Sequence, residues 1–267
     1  MIASVYSKNN CRQYSHNERI IENLKKHLKW NESDRILEIG VGDGKSTTDL
    51  LFPIFPKNFR EYVGIDISQN TIEYLKSHIK LDKCNFYEMD VCCDRLPEEF
   101  ENRFDHIFSF HCLHWARYPR KALENIKKML KSEGQFFGTF LINGICDKLL
   151  FKLSQIPRWR EHGYGKYIST FFQENSSNDY FEMWKNLFEN LGFNLQLAHV
   201  DKFVLNFAKE EIADFVIAFL PTLSAVKKED LKDYTLDVEN VAISISEFDE
   251  NKETYKFHME AAIFMTS

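Results

Sequence analysis

The sequence predicts an α/β fold: a doubly wound, mostly parallel sheet with helices on both faces. Three observations carry this. Short apolar runs alternate with amphipathic stretches through residues 17–142, the pattern of parallel strands joined by crossover helices. A glycine-rich loop, Gly40, Gly42 and Gly44, follows the first apolar run. An acid, Asp66 or Asp90, closes each of the next two runs.

Taken in order, Ile20, Ile21, Leu24 and Leu28 recur at helical spacing within 17–29. RILEI at 35–39 reads as a buried strand, and 45–52 as a helix stopped before Pro53. EYVGID at 61–66 is a second strand, followed by a helix over 69–80 with Ser68 as its N-cap. Strands are expected at 84–89 and 104–110. A helix over 119–131 has Pro119 in its first turn and Gly134 beyond its end, and a fifth strand runs over 135–142. Residues 144–180 carry Pro157, Gly163 and Gly165 and read as irregular. A helix over 179–191 stops at Gly192, and 193–207 is extended. Two helical stretches, 209–219 and 228–247, precede a terminal strand over 255–267.

The length of 267 residues suits one large domain, or a domain with an insertion. A net charge of −6 offers no basic excess to attract nucleic acid or an anionic membrane. No run reaches the roughly 18 apolar residues needed to span a bilayer. The polar start lacks the apolar core of a secretory signal. Cys11, Cys84, Cys92, Cys93, Cys112 and Cys146 form no C-x-x-C pair. We read them as free thiols of a reducing compartment, which implies a cytoplasmic protein. His111 and His114 have no carboxylate beside them in sequence, so no metal site is expected. The 24 phenylalanines imply a large apolar core or an apolar pocket, the core being the plainer reading.

Three ligand classes use glycine loops after a first strand, because a missing Cβ lets the backbone turn and approach a ligand closely. A phosphate loop needs G-x-x-x-x-G-K-[ST], but its first glycine would fall on Ile39. A dinucleotide loop needs G-x-G-x-x-G/A, whereas the spacing here is G-x-G-x-G. The third class is the S-adenosylmethionine loop, and the two downstream acids favour it. A carboxylate at Asp66 can accept from both ribose hydroxyls. One at Asp90 can accept from the adenine amino group, with the Val91 backbone N–H donating to a ring nitrogen. Taken singly, each acid could equally be a solvated strand end.

Over roughly residues 30–145, this order resembles the class I S-adenosylmethionine-dependent methyltransferases. The resemblance implies a Rossmann-like, seven-stranded sheet whose last strand runs antiparallel. It implies S-adenosylmethionine as cofactor, held by Glu38, Gly40, Gly42, Gly44, Asp66, Ile67, Asp90, Val91 and Ser109. Glu38 would lie near its methionine end.

Two further segments narrow the resemblance. DRLPEEFENRFDHIFSFHCLHW at 94–115, and the spacing of Tyr6, Asn10 and Gln13, are similar to insect juvenile hormone acid O-methyltransferases. That family methylates the carboxylate of farnesoic acid or juvenile hormone acid. The likeness assigns Gln13 and Trp115 to the substrate carboxylate. Trp115 read alone could be a core aromatic, and Gln13 an exposed terminal residue. His114 either adds a hydrogen bond or packs. His111 departs from the family, which usually has an aromatic there. A carboxylic acid with a pKa of about 4–5 is already ionised at neutral pH, so no general base is needed. Neutral donors orient it without quenching its nucleophilic lone pair.

Residues 1–30 are expected to form a helical segment contributing to the substrate site, 31–143 the cofactor-binding core, and 144–267 the remaining strands and a helical substrate cap. Phe151, Trp159, Phe171, Phe172, Phe215 and Phe219 are candidates for the cover over a hydrophobic acid. Two alternatives stay open: the same chemistry on another small-molecule acid or hydroxyl, or a non-catalytic S-adenosylmethionine-binding protein.

Overall fold

The expected alternation folds into one sheet of eight strands. The computed structural model describes residues 11–143, 145–160, 168–170, 179–220, 223 and 226–267. Five parallel strands form its first part: β1 (Arg35–Ile39), β2 (Glu61–Asp66), β3 (Cys84–Glu88), β4 (Phe104–Phe110) and β5 (Leu130–Leu141). β6 (Leu195–Phe207), β7 (Glu247–Asp249) and β8 (Thr254–Thr266) complete it. The order is β3-β2-β1-β4-β5-β8-β6, with the short β7 paired to β8. β8 runs antiparallel to both β5 and β6. The last strand is therefore antiparallel, as expected, and the eighth strand is the three-residue β7.

The chain winds outward from β1 in both directions. At the carboxyl end of β1 the connections of neighbouring strands leave to opposite sides, and there a crevice opens. One face of the sheet packs Leu37, Ile39, Ile107 and Phe136 against α3 (Pro119–Met129) and α6 (Tyr180–Asn190). The other face packs Ile36, Tyr62, Phe108 and Phe137 against α1 (Cys11–Leu24) and α2 (Gln69–His78). Alternate residues of β1 thus serve opposite layers, which explains why RILEI reads as a continuous apolar run broken only by Glu38. A third cluster joins α4 (Ile145–Gln155), α5 (Pro157–Arg160), α7 (Lys209–Phe219) and α8 (Leu231–Ser244) to Phe207, Phe257 and Met259 on β6 and β8. No helix among the described residues is long and apolar enough to cross a membrane.

Several boundaries move. α1 starts at Cys11 and ends at Leu24, earlier than the expected 17–29. Thr47–Leu51 is a π-helical turn rather than part of a regular helix. α3 ends at Met129, and Leu130 already belongs to β5. The stretch from 144, expected to be irregular, contains α4 and α5, because Leu149, Leu150, Leu153 and Trp159 bury one face. The helix expected over 228–247 is a short 3-10 turn, then α8, then β7.

Candidate active site

The glycine loop turns sharply out of β1. Gly40, Gly42 and Gly44 have φ of +74°, +59° and +76°, in the left-handed region that a Cβ makes costly. A Cβ on Gly40 would also sit 2.3 Å from Cys112 Sγ. Asp66 closes the loop from β2. Its Oδ2 accepts from Gly42 N at 3.2 Å and its Oδ1 from Ser68 N at 2.9 Å. Burial pushes its carboxyl up, and these two N–H groups pull against that shift. Two oxygens offer about four lone pairs, so Asp66 retains acceptor capacity for a ligand's hydroxyls. Asp90 Oδ1 accepts from Cys92 N at 2.8 Å. Ile67, 68% exposed, supplies an apolar surface at the rim. Gly40, Gly42, Asp66, Ile67, Asp90 and Val91 all line the crevice.

A second cavity adjoins it, enclosing about 830 Å3 of empty space including its mouth. Its walls are mostly apolar: Leu141, Ile145, Leu149, Phe203, Leu205, Phe215, Val216, Leu220, Phe257 and Met259. The polar lining residues include Arg12, Gln13, His16, His111 and His114. Gln13, His111, Trp115 and Phe219 line both the cavity and the crevice. These four residues mark where the two spaces meet.

Local structure sets up this junction. β4 ends at Phe110, and His111 turns the chain with φ of +47°, its N–H donating to Thr139 O at 2.7 Å. A 3-10 turn, Leu113–Trp115, follows. Its Leu113 is buried in the core, while His114 and Trp115 border the cavity. His114 Nδ1 accepts from Leu141 N at 3.4 Å, so the ring proton belongs on Nε2. Burial lowers the pKa of this imidazole to about 3, so it is neutral at physiological pH. The His111 ring is bonded through Nε2 to His16 Nδ1 at 2.8 Å, and His16 Nε2 lies 2.9 Å from Asp201 Oδ2. Arg19 pairs with the same carboxylate. His16 also stacks on Phe203 at 4.2 Å.

Residues 37–138 match a family described as a methyltransferase domain. The chain is 31% identical over 194 residues to juvenile hormone acid O-methyltransferase of Bombyx mori, covering 72% of this chain and 68% of that protein. The chain belongs to the class I S-adenosylmethionine-dependent methyltransferases. The Drosophila melanogaster protein of the same name is 28% identical over 270 residues, covering 96% of this chain and 87% of its own length. Among solved structures, the YcgJ protein of a Bacillus species matches with a TM-score of 0.58 at 14% identity, covering 93% and 97% of the two chains. A Haemonchus contortus phosphoethanolamine N-methyltransferase in complex with S-adenosylhomocysteine matches with a TM-score of 0.51 at 17% identity, covering 93% and 52%. The structural likenesses bear on the fold.

S-adenosylmethionine is the cofactor of this methyltransferase. The crevice suits it: two carboxylates for hydroxyl and amino groups, and Ile67 for a flat ring. Three expected cofactor residues do not line that crevice. Glu38 is buried and accepts from Tyr62 OH at 2.6 Å and Thr47 Oγ1 at 2.7 Å, tying β1 to β2 and to the π-helical turn. A Cβ on Gly44 would fall 2.6 Å from Leu75 Cδ2, so its smallness serves the approach of α2. Ser109 Oγ donates to Ile39 O at 3.2 Å and joins β4 to β1.

Of the candidate cover residues, Phe215 and Phe219 line the cavity. Trp159 is instead fully buried, its Nε1 donating to Asp237 Oδ2 at 2.8 Å. Phe151 is 46% exposed on α4. Phe171 and Phe172 lie outside the described residues. Sequence reasoning missed His16, Asp201 and Phe203. Asp201 sits 185 positions from His16, and no local pattern joins them. No group able to hold a metal ion occurs among the described residues, and Cys84, Cys92, Cys93, Cys112 and Cys146 are free thiols.

Proposed function

We propose that this methyltransferase converts a hydrophobic carboxylic acid of the farnesoic acid or juvenile hormone acid type into its methyl ester. The observation that carries the reading is the wall shared by Gln13, His111, Trp115 and Phe219, where an acid-lined crevice meets an apolar cavity. An aliphatic chain fits the cavity by its apolar walls, which leaves its polar end at the shared wall. Likeness to proteins named juvenile hormone acid O-methyltransferase supports the same acceptor.

When bound, the cofactor supplies a methyl group on a sulfonium. In our reading Asp66 accepts from the ribose hydroxyls and Asp90 from the adenine amino group. The Val91 N–H donates to the ring, Ile67 flanks it, and Gly40 and Gly42 leave room for close backbone approach. Glu38, Gly44 and Ser109 act behind them by holding the loop. On the acceptor side, Gln13 and the Trp115 indole orient the carboxylate, with His114 Nε2–H as a third neutral donor. The acid arrives ionised, so these residues need only aim one oxygen and exclude water; orientation of this kind supplies several kcal/mol, up to about 7–11 in model systems. Residues 1–30 then contribute Gln13 to the acceptor wall, 31–143 the cofactor core, and 144–267 the cover that includes Phe215 and Phe219. The free thiols favour a cytoplasmic setting.

Incubating the protein with farnesoic acid and cofactor labelled in its methyl group tests the reading. A labelled, solvent-extractable methyl ester is expected. Absence of ester from any acid of a hydrophobic panel would contradict it.

A further inference from the structure

His111, His16 and Asp201 form a continuous hydrogen-bonded chain that the reaction outlined above does not use. The chain begins at the junction of the two cavities, because His111 lines both. It runs 2.8 Å to His16 and 2.9 Å to Asp201. Its members come from the turn after β4, from α1 and from β6. His16 is 5% exposed, so the middle of the chain is out of water.

Proton positions follow from the partners. A carboxylate only accepts, so His16 Nε2 carries a proton toward Asp201. With one proton on each ring, His16 Nδ1 is a lone pair and His111 Nε2–H donates to it. His111 Nδ1, the ring's other nitrogen, is then also a lone pair. A carboxylate brought to that nitrogen would meet a second electron-rich atom. Adding one proton reverses the chain: His16 Nδ1–H donates to His111 Nε2, and His111 carries its own proton on Nδ1.

We propose that binding of the anionic acceptor draws one proton into the Asp201–His16–His111 chain, so that His111 offers a neutral N–H to the carboxylate while the charge rests on His16 beside Asp201. This rests on the proposed carboxylate acceptor. The arrangement keeps full positive charge one ring away from the reacting oxygen, so the acceptor is located without being neutralised. Formation of the ester removes the anion, and the proton leaves with the product.

The charged surroundings fit a chain that is neutral at rest. Burial lowers the His16 pKa, with Asp201 opposing and Arg19 assisting. Burial, then His16 and His114, hold His111 well below the usual histidine value. Burial pushes Asp201 up, but Arg19 and His16 more than offset it, so its net shift is downward. Nearby, Arg12 is paired with Glu211.

Calorimetric titration of the protein, loaded with S-adenosylhomocysteine, in buffers of different ionisation enthalpy reads the proton directly. At pH 7.5, farnesoic acid is expected to bind with uptake of about one proton, and its neutral primary amide with none. Because the free chain titrates below the ordinary histidine value, affinity for the acid should fall as pH rises, up to about tenfold per unit. Asp201→Asn should abolish the uptake while S-adenosylhomocysteine still binds. Acid that binds and is methylated with no net proton change overturns the inference and leaves the proposed function standing. Failure of every acid to bind or react, or methylation only of alcohols with a rate that climbs with pH, overturns both.

Discussion

At the scale of single residues, the groups we place nearest the acceptor are neutral, and a buried acid, Glu38, lies behind the glycine loop. His114 is uncharged by burial, and Trp115 and Gln13 carry no charge at all. Trp115→Leu should therefore lower kcat by about 10- to 100-fold, the cost of losing orientation, with cofactor affinity intact; steady-state kinetics beside cofactor titration checks this. Glu38 bears a different load. Burial raises its pKa to about 7, with Tyr62 and Thr47 opposing. The folded protein then binds more protons than the unfolded chain between the ordinary carboxyl pKa and about 7, so stability falls as pH rises through that window. The loss amounts to about 3 kcal/mol by pH 8. Glu38→Gln should flatten that decline in urea unfolding followed from pH 5 to 8. Gly40, Asp66 and Asp90 were legible because loop geometry demands glycine and strand ends display acids. Glu38 was legible as a conspicuous acid, yet its partners come from two other elements, so its role was not.

At the scale of elements, the glycine loop and α2 form one unit. Gly44 has φ of +76°, and a Cβ there would meet Leu75 and Ile79. Gly44→Ala is expected to destabilise the fold by about 1–3 kcal/mol, from the left-handed backbone and the overpacking together. Thermal melts should show the loss, with weaker S-adenosylhomocysteine binding beside it. Strands β1, β2 and β4 were read to the residue, since each is an apolar run bounded by turn residues. α4 and α5 were hidden because Gly144, Pro157 and Gly163 punctuate the stretch, while the buried face of Leu149, Leu150, Leu153 and Trp159 is formed against helices from the far end of the chain. The π-helical turn at Thr47–Leu51 was equally invisible: Thr47 is held by Glu38 across the layer, a tertiary contact with no local signature.

At the scale of the whole molecule, the proposed function depends on two spaces built by distant parts of the chain. Residues 39–118, with Gln13 and Phe219, supply the crevice, and α1, α4, α7, β6 and β8 supply most of the apolar cavity. Phe219 borders both and Phe215 lines the cavity. Phe215→Trp should shift preference toward shorter acids, raising KM for farnesoic acid about tenfold relative to an eight-carbon acid, measured across a chain-length series. The glycine-loop side of the crevice could be foreseen because the residues proposed to hold the cofactor cluster within 40–91. The cavity could not, because aromatic residues look alike whether they fill a core or line a void. A crystal structure of the protein with S-adenosylhomocysteine and farnesoic acid tests the proposed methyl transfer most directly. We expect the thioether sulfur and a carboxylate oxygen to face each other at the junction, with that oxygen beside Gln13 and Trp115 and the isoprenoid chain along Phe215 and Met259. An acid bound elsewhere, or a carboxylate turned away from the sulfur, would contradict it.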